Sequence, residues 1–287
     1  MLKKIDWAKA LLEKQIQDFR CVYCGSAVCV KGYSVECTNH HSFNLSKKGT
    51  LHLMKQPANV DYDESLFLHR YEVMQAGLFT PLLEVIEKEL AHYASGWIVD
   101  IGCGEGSHLS WLINRQPQLN GCGIDIAKAG IVCASNHFPN TALWLLADLT
   151  QLPFSDESCS VLLNILSPSH YGEFNRVLAK DGVLIKVVPG EQYLKELREV
   201  LYADNPAKLT YSNQEVKERF LAEYKTAYTK RITYQVALTP DLYEHLLEMT
   251  PLFWGASKQQ QQVSRQKPLD HVTLDVELLI YRKGEKE

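Results

Sequence analysis

No run of apolar residues in the 287-residue chain approaches the roughly 18 that a membrane-spanning helix requires, so the sequence offers no span and no membrane partner. Its start, MLKKIDWAKALLEKQIQDF, has no uninterrupted apolar stretch, which argues against a signal peptide and leaves a reducing, cytoplasmic setting as the expectation. Eight cysteines in such a setting are not expected to pair as disulfides. A surplus of basic charge is also missing: 30 Lys and Arg face 34 Asp and Glu, a formal −4, which argues against a surface coated for nucleic acid. The balance is uneven, however. Residues 1–58 hold nine basic residues (Lys3, Lys4, Lys9, Lys14, Arg20, Lys31, Lys47, Lys48 and Lys55) against four acids (Asp6, Glu13, Asp18 and Glu36). That surplus of five, set against −4 for the whole, leaves −9 for the remainder. A basic end on an acidic body suggests that the first segment faces a polyanion; a merely solvated basic face is the plainer alternative.

The length and a 46% hydrophobic content fit one large globular domain plus a smaller module. Ile5, Ala8, Leu12, Ile16 and Phe19 recur at steps of three and four, the period of an amphipathic leader helix. A cysteine-rich stretch follows, and PANVD at 57–61 reads as a linker dividing a 1–58 module from a 59–287 domain. Helical patterns (ESLFLHRYEVMQAG, then PLLEVIEKELAHY) lead into alternating strands and helices, with strands expected at 97–101, 121–124, 142–146, 161–165 and 183–188. Such alternation specifies an α/β, doubly wound, mostly parallel sheet. Further on, Ser212 with Glu215 reads as a capping box, Thr239 as the N-cap of a helix with Pro240 in its first turn, and HVTLDVELLIYR as the last strand. Residues 250–270 read as a long connection of the kind that serves as a lid or binding loop, or else is disordered.

The stretch VDIGCGEGSHL sets Gly102, Gly104 and Gly106 between an apolar strand and a helix. Glycine permits a tight turn and close backbone approach to a ligand, and the helix start offers unpaired N–H groups. A dinucleotide site would need its third glycine at 107, which is Ser107. The G-x-G-x-G spacing after Asp100 instead resembles motif I of class I S-adenosylmethionine-dependent methyltransferases. That resemblance implies that Asp125, ending the next strand, accepts the ribose hydroxyls and that Asp148 lies against the adenine. It implies further that Glu105 receives the ammonium end of the methionine. RVLAKDGVLIKVVP is similar to the turn before the family's strand five, with Asp181 in place of the usual proline.

The stretch CVYCGSAVCVKGYSVECTNHHSF, residues 21–43, holds four cysteines and two histidines. Cys21 and Cys24 form a C-x-x-C pair at the spacing of a tetrahedral zinc site. Cys29 follows too soon to be brought opposite that knuckle, whereas Cys37 leaves room for a small hairpin through KGYSVE. Cys37 with His41 then gives C-x2-C-x12-C-x3-H, with Cys29 and His40 as bystanders. A redox C-x-x-C would expect an adjoining thioredoxin-like βαβ pattern, which is absent; buried thiols without metal are the other alternative. Cys103, Cys122, Cys133 and Cys159 read as small core residues. A finger of about 20 residues buries too little to hold itself, so a metal would supply its folding energy.

A zinc knuckle followed by this turn resembles one family nearly end to end: the RlmA (RrmA) guanine-N1 methyltransferases of bacterial 23S rRNA, in their Gram-positive branch. HHSFNLSKKGTLHLM is similar to the family's R-H-x-F-D-x-A-K-x-G-Y-V-N-L, RYEVMQAGLF to R-x-x-F-L-x-A-G-x-Y, and LLEMTPLFW to L-L-x-M-T-P-x-x-W. DIGCGEG is identical to the family's turn. Phe79 stands where the family has the cofactor-binding aromatic of A-G-x-Y, and Tyr193 where a histidine follows strand five. The resemblance implies a class I Rossmann-like domain with a small zinc-binding module. Its activity would be transfer of a methyl group from S-adenosylmethionine to N1 of a guanine in a hairpin loop of 23S rRNA, with structural Zn2+. It also allows a homodimer and brings a connection with macrolide resistance.

No catalytic residue is singled out. Asn164, in NILSP, could orient a base edge or be an ordinary strand-end Asn; Arg70, Tyr71 and Trp254 are candidates for stacking or clamping, or core. The target guanine must be unpaired or flipped to be reached. Two rival functions stand beside this one. A small-molecule methyltransferase with a structural zinc leaves the basic segment unexplained. A zinc-dependent nucleic-acid-binding regulator would expect a recognition-helix module, and none is visible.

Overall fold

Ile5, Ala8 and Leu12 face one way only on a helix, and the chain forms one there: α1 spans Lys4–Gln15 and buries Ala8 and Leu12. The computed structural model describes residues 2–54 and 62–284, so the expected 57–61 linker and the 58/59 division lie outside the described residues. After α1, β1 (Val28–Lys31) and β2 (Ser34–Cys37) pair antiparallel through KGYS, the expected hairpin, and β3 (Ser42–Asn44) completes a three-stranded sheet. The next strand, β4 (Thr50–His52), leaves this sheet and pairs parallel with a strand of the large one. The leader segment is likewise tied to the body. Phe19 packs on Trp97 and Phe154 with ring centroids 5.4 and 4.7 Å away. Trp97 Nε1 donates to Asp18 at 2.9 Å, and Lys4 Nζ to the Ser135 carbonyl at 2.7 Å.

Helices α2 (Glu64–Gln75) and α3 (Thr80–Leu90) precede the alternating units. These run β5 (Trp97–Ile101), α4 (Ser107–Ile113), β6 (Asn120–Asp125), α5 (Lys128–His137), β7 (Ala142–Leu146), β8 (Cys159–Ile165), α6 (Tyr171–Val177) and β9 (Leu178–Pro189). The chain continues through α7 (Lys195–Leu201), α8 (Gln214–Glu223), β10 (Tyr228–Ala237), α9 (Pro240–Met249), α10 (Pro251–Trp254), α11 (Lys258–Gln266) and β11 (His271–Arg282). The large sheet has the order β10-β11-β9-β8-β5-β6-β7-β4. Parallel strands covered on both faces read as continuous apolar runs, and every residue of β5 and β7 is buried. Alternate residues feed opposite faces: Ile98, Leu163 and Ile185 join one core, Val99, Leu162 and Leu184 the other. This is the expected Rossmann-like doubly wound sheet.

Two expectations are corrected. Residues 250–270 are not a loop: α10 and α11 occupy most of it, capped by Thr250 and Ser257, whose side chains accept from Leu252 and Gln260 N–H. The expected capping box of Ser212 with Glu215 does not form among the described residues. Ser212 Oγ accepts from Gln214 N–H at 3.3 Å, but the helix starts after Asn213, whose side chain donates to the Pro189 carbonyl at 2.7 Å. Thr239 does cap α9, accepting from Leu242 N–H at 3.2 Å.

Chain order steps outward from β5 through β6 to β7 on one side, and from β8 to β9 on the other. Ligands of open α/β sheets bind where such an order reverses, beyond the carboxyl ends of the strands. Those ends carry the glycine turn, Asp125, Asp148, the 164–168 segment and the turn to Tyr193.

Candidate cofactor pocket and cysteine–histidine cluster

The glycine turn is forced by both conformation and space. Gly102, Gly104 and Gly106 have φ of 85°, 55° and 84°. A Cβ on Gly102 would lie 2.6 Å from Ser167 Cβ, and one on Gly106 2.6 Å from the Trp144 ring. The N–H groups of Gly102 and Cys103 both donate to the Ile124 carbonyl, which locks the turn to β6. Asp125, at the end of β6, completes the lock: Oδ2 accepts from Gly104 N–H at 2.8 Å and Oδ1 from Ala127 N–H at 2.7 Å.

Three carboxylates meet here. Asp100 is buried, neither of its oxygens has a hydrogen-bond partner, and burial raises its pKa to about 8, helped by the charges of Glu105 and Asp125. Glu105 is buried with Oε1 accepting from Ser107 N–H at 3.3 Å, and burial raises its pKa as well. Burial also lifts Asp125, against the pull of its two N–H donors and the Arg70 guanidinium. His108, in the first turn of α4, is held neutral: burial, then the Arg70 charge, lower its pKa to about 4, and its Nε2 has no partner. Among the described residues, five of the eight buried side-chain polar atoms without a partner belong to Asp100, Ser107, His108 and Ser110. Buried polar atoms are otherwise satisfied almost everywhere, so the turn is shaped for a polar ligand. Three acids against one guanidinium favour a ligand that carries positive charge.

Of the other expected cofactor residues, Phe79 reaches this turn through His108 and Tyr193 through the Arg70 charge, while Asp148 contacts only its own turn. Phe79 is buried at the start of α3 with its ring edge-on to His108, centroids 5.4 Å apart. Tyr193 follows β9, half-buried, its hydroxyl raised by burial and opposed by the Arg70 charge. Asp148, beyond β7, is half-exposed and accepts from Thr150 N–H at 2.8 Å. Arg70 makes no hydrogen bond or ion pair among the described residues, yet its charge reaches Glu105, His108, Asp125 and Tyr193. Sequence reasoning placed Arg70 with the RNA candidates only, and gave no role to His108. Tyr71, partly exposed, already has one ring neighbour, His137, with centroids 3.9 Å apart.

Asn164 is no free base reader either. Its Nδ2 lies within reach of the carbonyls of Ile101 (3.1 Å) and Pro168 (2.8 Å) and of Ser167 Oγ (2.6 Å). Its Oδ1 accepts from Lys186 Nζ at 2.7 Å and Ser169 Oγ at 2.9 Å. Lys186, buried on β9 with its pKa lowered to about 8 by desolvation, also donates to the Ser167 carbonyl at 3.0 Å. The pair fixes the 166–169 turn beside Gly102.

In the N-terminal segment, the ligand atoms of Cys21, Cys24, Cys37 and His41 all lie within 4.8 Å of one another. Cys24 and Cys37 Sγ are 3.7 Å apart, and His41 Nδ1 lies 3.5 Å from Cys21 Sγ and 3.4 Å from Cys37 Sγ. A tetrahedron built on metal–sulfur and metal–nitrogen bonds of about 2.3 and 2.05 Å has edges of about 3.8 and 3.6 Å. The fit is close. His41 N–H also donates to Cys37 Sγ at 3.3 Å, which stabilises a thiolate there. Cys29 and His40 stand outside the cluster and are exposed. Nearby, Lys47 and Lys48 are exposed in the turn before β4, while Lys31 is held by Glu36 at 2.8 Å.

Residues 99–186 match the family model described as a methyltransferase domain. A Bacillus subtilis (strain 168) protein provisionally named 23S rRNA (guanine-N(1)-)-methyltransferase YxjB is 39% identical over 275 residues, 92% of this chain and 97% of that protein. The 23S rRNA (guanine(748)-N(1))-methyltransferase of Streptomyces fradiae is 22% identical over 93% of this chain and 97% of its own length. Among solved structures, a methyltransferase assigned to an antibiotic biosynthesis pathway of Anabaena variabilis ATCC 29413 covers 70% of this chain and 96% of its own. Its TM-score of 0.51 at 15% identity is a likeness of fold alone.

Proposed function

The chain belongs to the family of 23S rRNA guanine-N1-methyltransferases, and from that premise we propose that it methylates N1 of one guanine in a hairpin loop of 23S rRNA. S-adenosylmethionine supplies the methyl group in this reading. The observation that carries it is the co-occurrence, in one chain, of a compact Cys3His cluster and a glycine turn with three buried or part-buried acids, of which Asp100 has no partner. Asp125 takes the ribose, Asp148 the adenine edge and Glu105 the ammonium end, with Gly102 and Gly104 allowing close approach and Phe79 and Tyr193 flanking the site. Catalysis of this kind rests largely on holding the acceptor in line, which the Asn164–Lys186 bracing of the 166–169 turn serves. Cys21, Cys24, Cys37 and His41 hold a structural zinc. Residues 1–58 form the RNA-recognition module, with Lys47 and Lys48 free to meet phosphate on an otherwise acidic body.

The test is primer extension on unmodified 23S rRNA incubated with the protein and S-adenosylmethionine. N1 methylation blocks pairing, so one new stop is expected; its absence, with methyl transfer to a small molecule instead, overturns the reading.

The acid-lined pocket makes a second expectation. Asp100, with its pKa raised to about 8, is largely protonated at pH 7. A cationic ligand favours its ionised form and lowers that pKa, so binding releases a proton near neutrality. Affinity should therefore rise from pH 6 towards 8 and level off, since above about 8 the carboxylate is already charged. The ligand's own α-amino group titrates at about 7.7–8.0 and works the other way above that range. Calorimetry in buffers of different ionisation enthalpy should show the released proton in wild type and its loss in Asp100→Asn. Equal proton release in the two proteins would remove Asp100 from the account.

A further inference from the structure

Tyr62 and Trp254 are separated by most of the domain in sequence yet stand side by side, with ring centroids 6.3 Å apart and planes inclined at 50°. Both are large aromatic side chains left 40% or more exposed. Neither ring is loose. Trp254, ending α10, donates its Nε1–H to the Glu248 carbonyl at 3.0 Å, which fixes the plane of the indole. Tyr62, just before α2, stands edge-on to the buried ring of Phe67 with centroids 6.3 Å apart. The Arg70 guanidinium lies 5.6 Å from the Tyr62 ring centre and 5.4 Å from that of Phe67. Phe67 and Arg70 in turn look onto the glycine turn: a Cβ on Gly104 would be 3.6 Å from Phe67 and 3.9 Å from Arg70 Nη1. The aromatic pair is thus set outside the cofactor pocket, with an unpartnered cation between them and it.

Water-exposed rings held rigidly beside a guanidinium suit a flat, electron-rich guest. A nucleobase inserted between two rings needs two contacts of about 3.5 Å, a centroid separation of about 7 Å. The 6.3 Å spacing requires a slight opening, and closing the 50° between the planes requires one ring to give up its present contact in favour of the base. We propose that Tyr62 and Trp254 clasp one unpaired base of the substrate RNA, with Arg70 lying along its edge. The clasp rests on the rRNA-methyltransferase reading and deepens it by naming how a single-stranded loop is gripped. Every base has a π-face, so the clasp gives affinity and position, while the choice of guanine belongs to the pocket beyond.

The experiment titrates wild type, Trp254→Ala, Trp254→Phe and Tyr62→Ala with unmodified 23S rRNA transcribed in vitro and with a single-stranded fragment, by filter binding and by tryptophan fluorescence. Loss of one stacking partner should weaken RNA binding by between about 5- and 100-fold in each alanine variant. Trp254→Phe should keep most of the affinity while losing the fluorescence quenching that RNA causes in wild type. Affinity for S-adenosylmethionine should change less than two-fold, and near-wild-type melting temperatures in Trp254→Phe and Tyr62→Ala keep folding separate from binding. A wild type that methylates the RNA, matched by a folded Trp254→Ala of equal RNA affinity, overturns the clasp and leaves the function standing. A wild type that neither binds nor methylates 23S rRNA overturns the function, and the clasp goes with it.

Discussion

His41→Ala is expected to lose its zinc, and with it rRNA methylation, while keeping affinity for S-adenosylmethionine. His41 closes a four-cornered cluster held within 4.8 Å, with its Nδ1 within 3.5 Å of two sulfurs, near the edge of a metal tetrahedron. Changing even an outer partner of a ligand typically costs about 10–100-fold in metal affinity, so removing a ligand should exceed that. The three short strands β1, β2 and β3 bury few side chains of their own, chiefly Val35, Cys37 and Phe43, and the metal would carry much of their folding energy. Damage should stay local, because Phe19 and β4 are held by the body through Phe154, Trp97 and β7. The control is His40→Asn rather than alanine: His40 has φ of 63°, a left-handed conformation that asparagine tolerates, so only the imidazole is tested. Zinc content and release to a chelator give the readout, one metal per chain being expected in wild type and control. A His40 variant that sheds metal while His41→Ala retains it would show the ligand set to be wrong.

Much of this cluster and of the sheet is legible in the sequence because the causes are local. Four ligands within 21 residues fix one another by spacing, and three glycines announce a turn that only positive φ can make. Strands β5 and β7 have the expected bounds because burial on both faces leaves nearly continuous apolar runs between polar punctuation, and β11 keeps its bounds although Thr273, Asp275 and Glu277 interrupt its run. Helix α11 was hidden for the opposite reason. KQQQQVSRQ buries only Ser264 fully, so it shows no apolar period, and its cap Ser257 is one serine among many polar neighbours. The cofactor pocket's wider lining was hidden by distance. Arg70 meets Glu105 and Asp125 only once α2 is folded over the glycine turn, and Asn164 faces Lys186 only through the pairing of β8 with β9. Tyr62 finds Trp254 across nearly the whole domain. No spacing rule reaches such pairs. A polar residue such as His108 in the first turn of a buried helix was the one local signal, and GEGSHL did contain it.

Asp125→Ala should weaken S-adenosylmethionine binding by about 10- to 100-fold, the usual cost of removing hydrogen bonds to a charged group. The carboxylate has two tasks. It accepts the Gly104 and Ala127 N–H groups at 2.8 and 2.7 Å, which sets the spacing between the glycine turn and the start of α5, and in the proposed function it also takes the ribose hydroxyls. The variant should still fold, since Gly102 and Cys103 N–H keep their bonds to the Ile124 carbonyl and β6 keeps both neighbouring strands. Asp125→Asn separates the two tasks. It preserves the shape and one acceptor, so the turn survives, but its NH2 group can accept from neither Gly104 nor a ribose hydroxyl. Calorimetry should therefore rank the affinities wild type, then Asn, then Ala, with zinc content equal in all three because the cluster lies in the N-terminal segment. A folded Asp125→Ala protein that binds S-adenosylmethionine as wild type does would remove Asp125 from the cofactor site. The pocket would then have to be rebuilt around Asp100 and Glu105, the two buried acids whose charge the ligand would still answer.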